Sequence, residues 1–191
     1  LFLAKHFSCT FLEHPSFTNN KTSSPRTSHR RLIRERVMQA LYAFEISEQQ
    51  LSALIEYHLL EFSNSEKDFA FARKLLVGAM EHREEFDAML KEHTQHWELH
   101  RIALIDKILL RMGLFELLYC REIPPKVSIN EMIEIAKNYS TSESGKFING
   151  ILDTLHEKFK ASGMMKKSGR GLLNETPVST QKKSQKTNIA E

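Results

Sequence analysis

The chain has 191 residues, 41% of them hydrophobic and 27% charged, an ordinary balance for one globular domain with little to spare. Two cysteines exclude a disulfide scaffold, and seven glycines with five prolines exclude a collagen-like or linker-dominated chain. The net charge of +3 is unevenly placed: residues 1–28 carry +2 and residues 162–191 carry +4, which leaves the middle at −3. A nucleic-acid-binding core would therefore need a local basic patch, because the middle as a whole is not basic. Apolar runs are too short for a transmembrane helix, so no membrane association is expected.

Residues 1–28 open with Leu1 and hold nine Ser or Thr residues, without a sustained helical or strand period. They read as a disordered N-terminal extension. Leu1-Phe2-Leu3 is too short for a signal-peptide core, and the Ser-rich, acid-poor composition also suits an organellar transit peptide, although no amphipathic Arg-bearing helix accompanies it. Residues 161–191, rich in Lys, Ser, Thr, Gln and Gly, bury too little to offset their ordering entropy and read as a disordered basic tail.

Between these ends the sequence predicts helix throughout. Residues 29–161 contain only four glycines and two adjacent prolines, Pro124 and Pro125, which leaves little punctuation for hairpins. Ile33, Val37, Leu41 and Phe44 form the stripe of a first helix. Leu51, Leu54, Ile55, His58 and Leu59 form a second, and Phe69, Ala72, Leu75, Leu76 and Ala79 a third. Phe86, Met89 and Leu90 mark a shorter fourth. Residues 102–120 are apolar nearly all round, as the buried centre of a bundle would be, with Ile105, Ile108, Leu109 and Met112 between its halves. Pro124-Pro125 ends that helix. Ser128-x-x-Glu131 reads as a capping box opening the next, followed by Ile129, Ile133, Ala136 and Tyr139. After the polar break from Ser140 to Ser144, Ile148, Ile151, Leu152, Leu155 and Phe159 form the last stripe.

Three groups of residues suggest chemistry. His29-Arg30-Arg31-Leu32-Ile33-Arg34-Glu35-Arg36 concentrates four arginines, and helical spacing puts Arg31, Arg34, Met38 and Tyr42 on one face away from the core stripe. Guanidinium groups beside an exposed ring suit RNA, whose phosphates need cations and whose bases need a stacking surface. The alternative is a solvated helix face, although arginines at a helix N-terminus oppose its dipole. Phe147 lies about 100° off the last helix's core stripe, flanked by Lys146 and Asn149. It reads either as packing against a neighbouring helix or as a stacking platform. Gly150 in mid-helix suggests a close helix approach. His93, His96 and His100 have spacings that could place two imidazoles on one face, but His96-Trp97-Glu98-Leu99-His100 is not the metalloprotease pattern, and no metal site is expected. With no phosphate loop, nucleophile elbow or Cys–His pair, the chain reads as a binding module that needs no cofactor and is not an enzyme.

Four stretches, in order, resemble the NusB family of bacterial transcription antitermination factors. They are Arg-Arg-x-x-Arg-Glu-x-x-x-Gln-Ala-Leu-Tyr (30–42), Phe-Ala-Arg-Lys-Leu-Leu-Val-Gly (71–78), Ile-Asp-Lys-Ile-Leu-Leu-Arg-Met-Gly-Leu-Phe-Glu-Leu (105–117), and Pro-Lys-Val-Ser-Ile-Asn-Glu-Met-Ile-Glu-Ile-Ala-Lys (125–137), which runs on to Ser-Gly-Lys-Phe-Ile-Asn-Gly-Ile-Leu-Asp (144–153). The resemblance covers about residues 29–160. It implies an all-α fold of about seven helices in two three-helix subdomains, a cytoplasmic protein, and binding of boxA RNA together with the ribosomal protein NusE. It further implies association with the RNA polymerase elongation complex and other Nus factors at ribosomal RNA operons. Carried over by position, Arg30, Arg31 and Arg34 are similar to the family's arginine-rich RNA-binding start. Tyr42, Lys146 and Phe147 match further RNA-binding positions, and Asp106 matches an RNA or protein-partner position where the family often has Glu. An alternative is the RNA-binding N-terminal fragment of a ribosomal RNA cytosine methyltransferase, which would require a downstream catalytic domain. A helical adaptor that binds protein alone is a third reading.

Overall fold

The computed structural model describes residues 29–47, 50–93 and 101–172. Seven α-helices occur among them: α1 (His29–Ser47), α2 (Leu51–Leu59), α3 (Glu66–Glu81), α4 (Arg83–His93), α5 (Leu104–Tyr119), α6 (Pro125–Tyr139) and α7 (Ser144–Ala161). Short 3₁₀ turns follow α2 at Leu60–Phe62 and α7 at Gly169–Leu172. The described residues include no strand, and none of their helices is long and apolar enough to cross a membrane.

The expected stripes face one continuous core. Ile33, Val37 and Leu41 of α1 meet Leu54 and Leu59 of α2 and Ala72, Leu75 and Leu76 of α3, all buried. Helices α5, α6 and α7 pack on one another as a second three-helix group. Helix α5 also touches α1, α3 and α4, so it joins the two groups. This position explains why its sequence lacks a polar face: Ile108, Leu109, Leu110, Met112, Leu114 and Leu117 are all at most 1% exposed. On α6 the hydrophobic core positions are Ile129, Met132, Ile135 and Ala136, whereas Ile133 is half-buried and Tyr139 exposed. The stripe expected there is thus rotated, because α6 must cover α5 and α7 together.

Two local expectations are corrected. Gly150 does not mark a close approach, since a Cβ there would meet nothing within 4 Å. The tight contacts fall at Gly113, against Leu152, and at Gly78, where a Cβ would overlap the Phe115 ring. Gly78→Ala gains about 1 kcal/mol in helix propensity, but overpacking against Phe115 costs about 1–3 kcal/mol. A net fall in melting temperature is expected, and an unchanged value would show that the ring can yield. The second correction concerns the chain beyond α7. Residues 162–172 were expected in a disordered tail, but Lys167 donates to the carbonyls of Glu116 (2.9 Å) and Cys120 (3.0 Å), tying this segment to the end of α5. The expectations for residues 1–28 and 173–191 lie outside the described residues.

Candidate nucleic-acid interface

The charged residues of the bundle are organised around three buried groups on α5. Glu116 accepts a fork from Arg34 of α1, Nε at 2.7 Å and Nη2 at 3.0 Å, and a third bond from Ser128 of α6 at 2.8 Å. Arg111 grips Asp87 of α4 with two bonds of 2.7 and 2.6 Å and reaches Glu45 of α1 at 2.6 Å. Asp106 accepts from Ser144 of α7 at 2.7 Å. Together these contacts link α5 to α1, α4, α6 and α7, and bidentate Arg–carboxylate geometry fixes orientation as well as distance.

These nodes redistribute the arginine cluster. The shared exposed face expected for Arg31, Arg34, Met38 and Tyr42 does not exist, because Arg34 is 3% and Met38 2% exposed. Burial disfavours the Arg34 charge, but Glu116 outweighs that penalty and holds its pKa above the ordinary value. Its guanidinium is therefore engaged in the interior by Glu116. Arg31 is partly exposed and forks onto Glu131 at 3.0 and 2.9 Å. Its pKa is raised, chiefly by that hydrogen bond. The same contact corrects the capping-box reading: α6 starts at Pro125, so Ser128 and Glu131 lie within the helix and serve Glu116 and Arg31. Arg30 stays exposed, its guanidinium 4.4 Å over the Phe71 ring and 3.6 Å from Asp68.

The remaining candidates separate into two places. Asp106, Lys146 and Phe147 line one groove of about 670 Å³ between the start of α5 and the start of α7, with Ile102 and Thr141. Asp106 is 6% exposed. Its Oδ2 is bound by Ser144, while Oδ1 is buried and has no hydrogen-bond partner among the described residues. The Lys146 side chain is 83% exposed and pairs with Glu143, three residues before it, at 3.2 Å. Phe147 is half-buried, with one part of the ring against the core and another toward the groove. The packing reading of this ring is thus met in part. Tyr42 is 38% exposed on α1 and lines neither this groove nor the one beside Arg30.

Sequence reasoning missed Glu116, Ser128 and Arg111 as structural partners, and it missed Arg170, which lines a second groove with Arg30. For Arg111 and Glu116 the only signal was a charge inside an otherwise apolar helix, and Ser128 and Arg170 carried none. His93 donates to the Met89 carbonyl at 2.9 Å. His96 and His100 lie outside the described residues, and no cluster suited to a metal occurs among those described. Cys120 is buried, and burial, with Glu116 adding to it, pushes its thiol up to about 12, so it is no nucleophile at neutral pH.

A two-group helical bundle with a half-exposed ring, a solvated lysine and a buried unpaired carboxylate oxygen at one groove is a binding module. The comparisons specify which one. The NusB family profile matches residues 31–157, and the chain belongs to the NusB family. It is 43% identical over 148 residues to the transcription antitermination protein NusB of Chloroherpeton thalassium, covering 76% of this chain and 69% of that protein. It is 46% identical to the Salinibacter ruber protein of the same name, over 76% of this chain and 92% of the relative. These relatives are antitermination factors, not enzymes. In structure it is similar to T. maritima NusB, with a TM-score of 0.63 and 36% identity over 68% of this chain and 91% of the other. NusB solved with NusE and double-stranded RNA shares the fold at 24% identity and a TM-score of 0.60, over 68% and 96% of the two chains.

Proposed function

We propose that this antitermination factor binds boxA-type RNA of ribosomal RNA operons jointly with the ribosomal protein NusE, in the cytoplasm and within the RNA polymerase elongation complex. The supporting observation is the Asp106 groove. A buried carboxylate oxygen without a partner is costly, and an arriving N–H or O–H group would remove that cost. Lys146 supplies a cation for a phosphate beside it, and the Phe147 ring supplies a surface for a base or an apolar side chain. Arg30 and Arg31 extend the basic surface at the start of α1, and Tyr42 offers a second exposed ring. Arg34 is a positioning residue that holds α1 to α5. The NusB–NusE structure with RNA supports the choice of partners through its shared fold.

The test is a gel shift with boxA-type RNA, with and without NusE, over a salt series. Lys146→Ala should weaken binding and reduce the salt slope by about 0.7, the loss of one single-strand phosphate contact. Phe147→Ala should leave the slope unchanged and cost about 1–3 kcal/mol of affinity if a base stacks there. Circular dichroism establishes that each variant is folded. Wild-type protein that binds no boxA RNA at low salt with NusE present would overturn the proposal. The methyltransferase-fragment reading gains no support, since the helical unit alone accounts for 92% of the Salinibacter relative.

A further inference from the structure

The segment after α7 turns back onto the bundle. Ser168 N–H donates to the Arg121 carbonyl at 3.0 Å, adjoining the two Lys167 bonds to the end of α5. Gly169, with φ +55°, makes the turn, and Gly171 is buried so closely against Arg121 that a Cβ would collide with its carbonyl oxygen. Between these two glycines stands Arg170, exposed and without an ion pair among the described residues. The strap thus fixes the base of a cationic side chain that the composition of the tail alone would leave unplaced. Arg170 lies beyond residues 31–157, the stretch matched by the family profile.

Arg170 lines a groove of about 370 Å³ with Arg30, Phe71, Ile123, Pro124 and Val127. Arg34 and Glu131, also on this groove, are already engaged by Glu116 and Arg31. Glu122 stands exposed on the rim and forms no ion pair with Arg170. Arg30 is 3.6 Å from Asp68 and stays exposed over the Phe71 ring, so the groove is lined by two exposed guanidinium groups, one of them with a carboxylate neighbour, beside an apolar wall with Val127 43% exposed. Guanidinium forks match phosphate oxygens, and a base or ribose can lie on an apolar surface.

We propose that this groove holds one ribose-phosphate unit of single-stranded RNA, its phosphate between Arg30 and Arg170 and its base on the Pro124–Val127 wall. This rests on the RNA-binding reading above and adds a C-terminal strap to that surface. The experiment titrates full-length chain, with NusE, into boxA-type RNA over a salt series, comparing wild type, Arg170→Gln and Gly171→Ala. Arg170→Gln removes the charge and leaves the strap seated. Gly171→Ala keeps the charge and unseats the strap. Both should lower the salt slope by about 0.7 and the affinity about fivefold at 0.1 M salt, the effect of one lost phosphate contact. If wild type binds RNA and Arg170→Gln matches it in affinity and slope, the strap assignment is wrong, whatever Gly171→Ala does. A loss of NusE affinity with an unchanged RNA slope would overturn it too, by assigning the groove to an acidic protein segment. If wild type binds no RNA, the functional proposal itself fails, and the strap assignment fails with it.

Discussion

Glu116→Ala is expected to destabilise the protein by about 3–5 kcal/mol, the cost of leaving one member of a buried ion pair alone. Arg34 is 3% exposed and Glu116 fully buried, so water cannot replace the missing carboxylate without opening the bundle. Ser128 loses its acceptor at the same time. Urea denaturation of wild type and variant gives the difference from the shift in midpoint. The double variant Arg34→Met with Glu116→Leu should recover most of the loss, because matched apolar side chains often replace a buried pair at little cost. A single variant that loses less than about 1 kcal/mol would contradict the pair's role in holding α1, α5 and α6 together. RNA binding by the folded double variant should be close to that of wild type, since Glu116 is fully buried and already holds the Arg34 guanidinium. A large selective loss of RNA affinity there would return Arg34 to the RNA surface.

Leu109→Ala is expected to cost about 2–5 kcal/mol. Leu109 is fully buried on α5, the helix that belongs to the second three-helix group and also packs on α1 and α3 of the first. Shortening its isobutyl group to a methyl leaves a cavity on the helix that both groups pack against. Denaturation should stay a single transition with a lowered midpoint. Loss from one group alone, seen as two separate transitions, would show that the groups fold independently and that α5 does not couple them.

The helices were legible because periodicity is local. Ile33, Val37 and Leu41, and again Ile148, Leu152, Leu155 and Phe159, recur at helical spacing and are buried as expected. The all-round apolar character of residues 102–120 announced a central helix, and α5 occupies that place. Side chains governed by distant partners were not legible. Arg31 and Arg34 look alike three residues apart, yet one stays partly exposed and the other is buried, because Glu116 lies 82 residues from Arg34. Ser128-x-x-Glu131 has the spacing of a capping box, but Pro125 already starts the helix. Gly150 and Gly113 look equally suited to a close approach, and only the crossing of α5 with α7 selects Gly113.

The sequence by itself thus determined the helical class, the central position of α5, the membership of the family and three of the residues that line the Asp106 groove, Asp106, Lys146 and Phe147. It did so through patterns that a few neighbouring residues carry. The tertiary structure alone decided which charges are spent inside the protein and which remain for a ligand. A guanidinium has the same chemistry on any helix. Whether it meets a carboxylate, as Arg34 does, or solvent, as Arg170 does, depends on which distant element packs over it. Burial then makes the choice energetically firm, because a desolvated charge must be paired and an exposed one need not be.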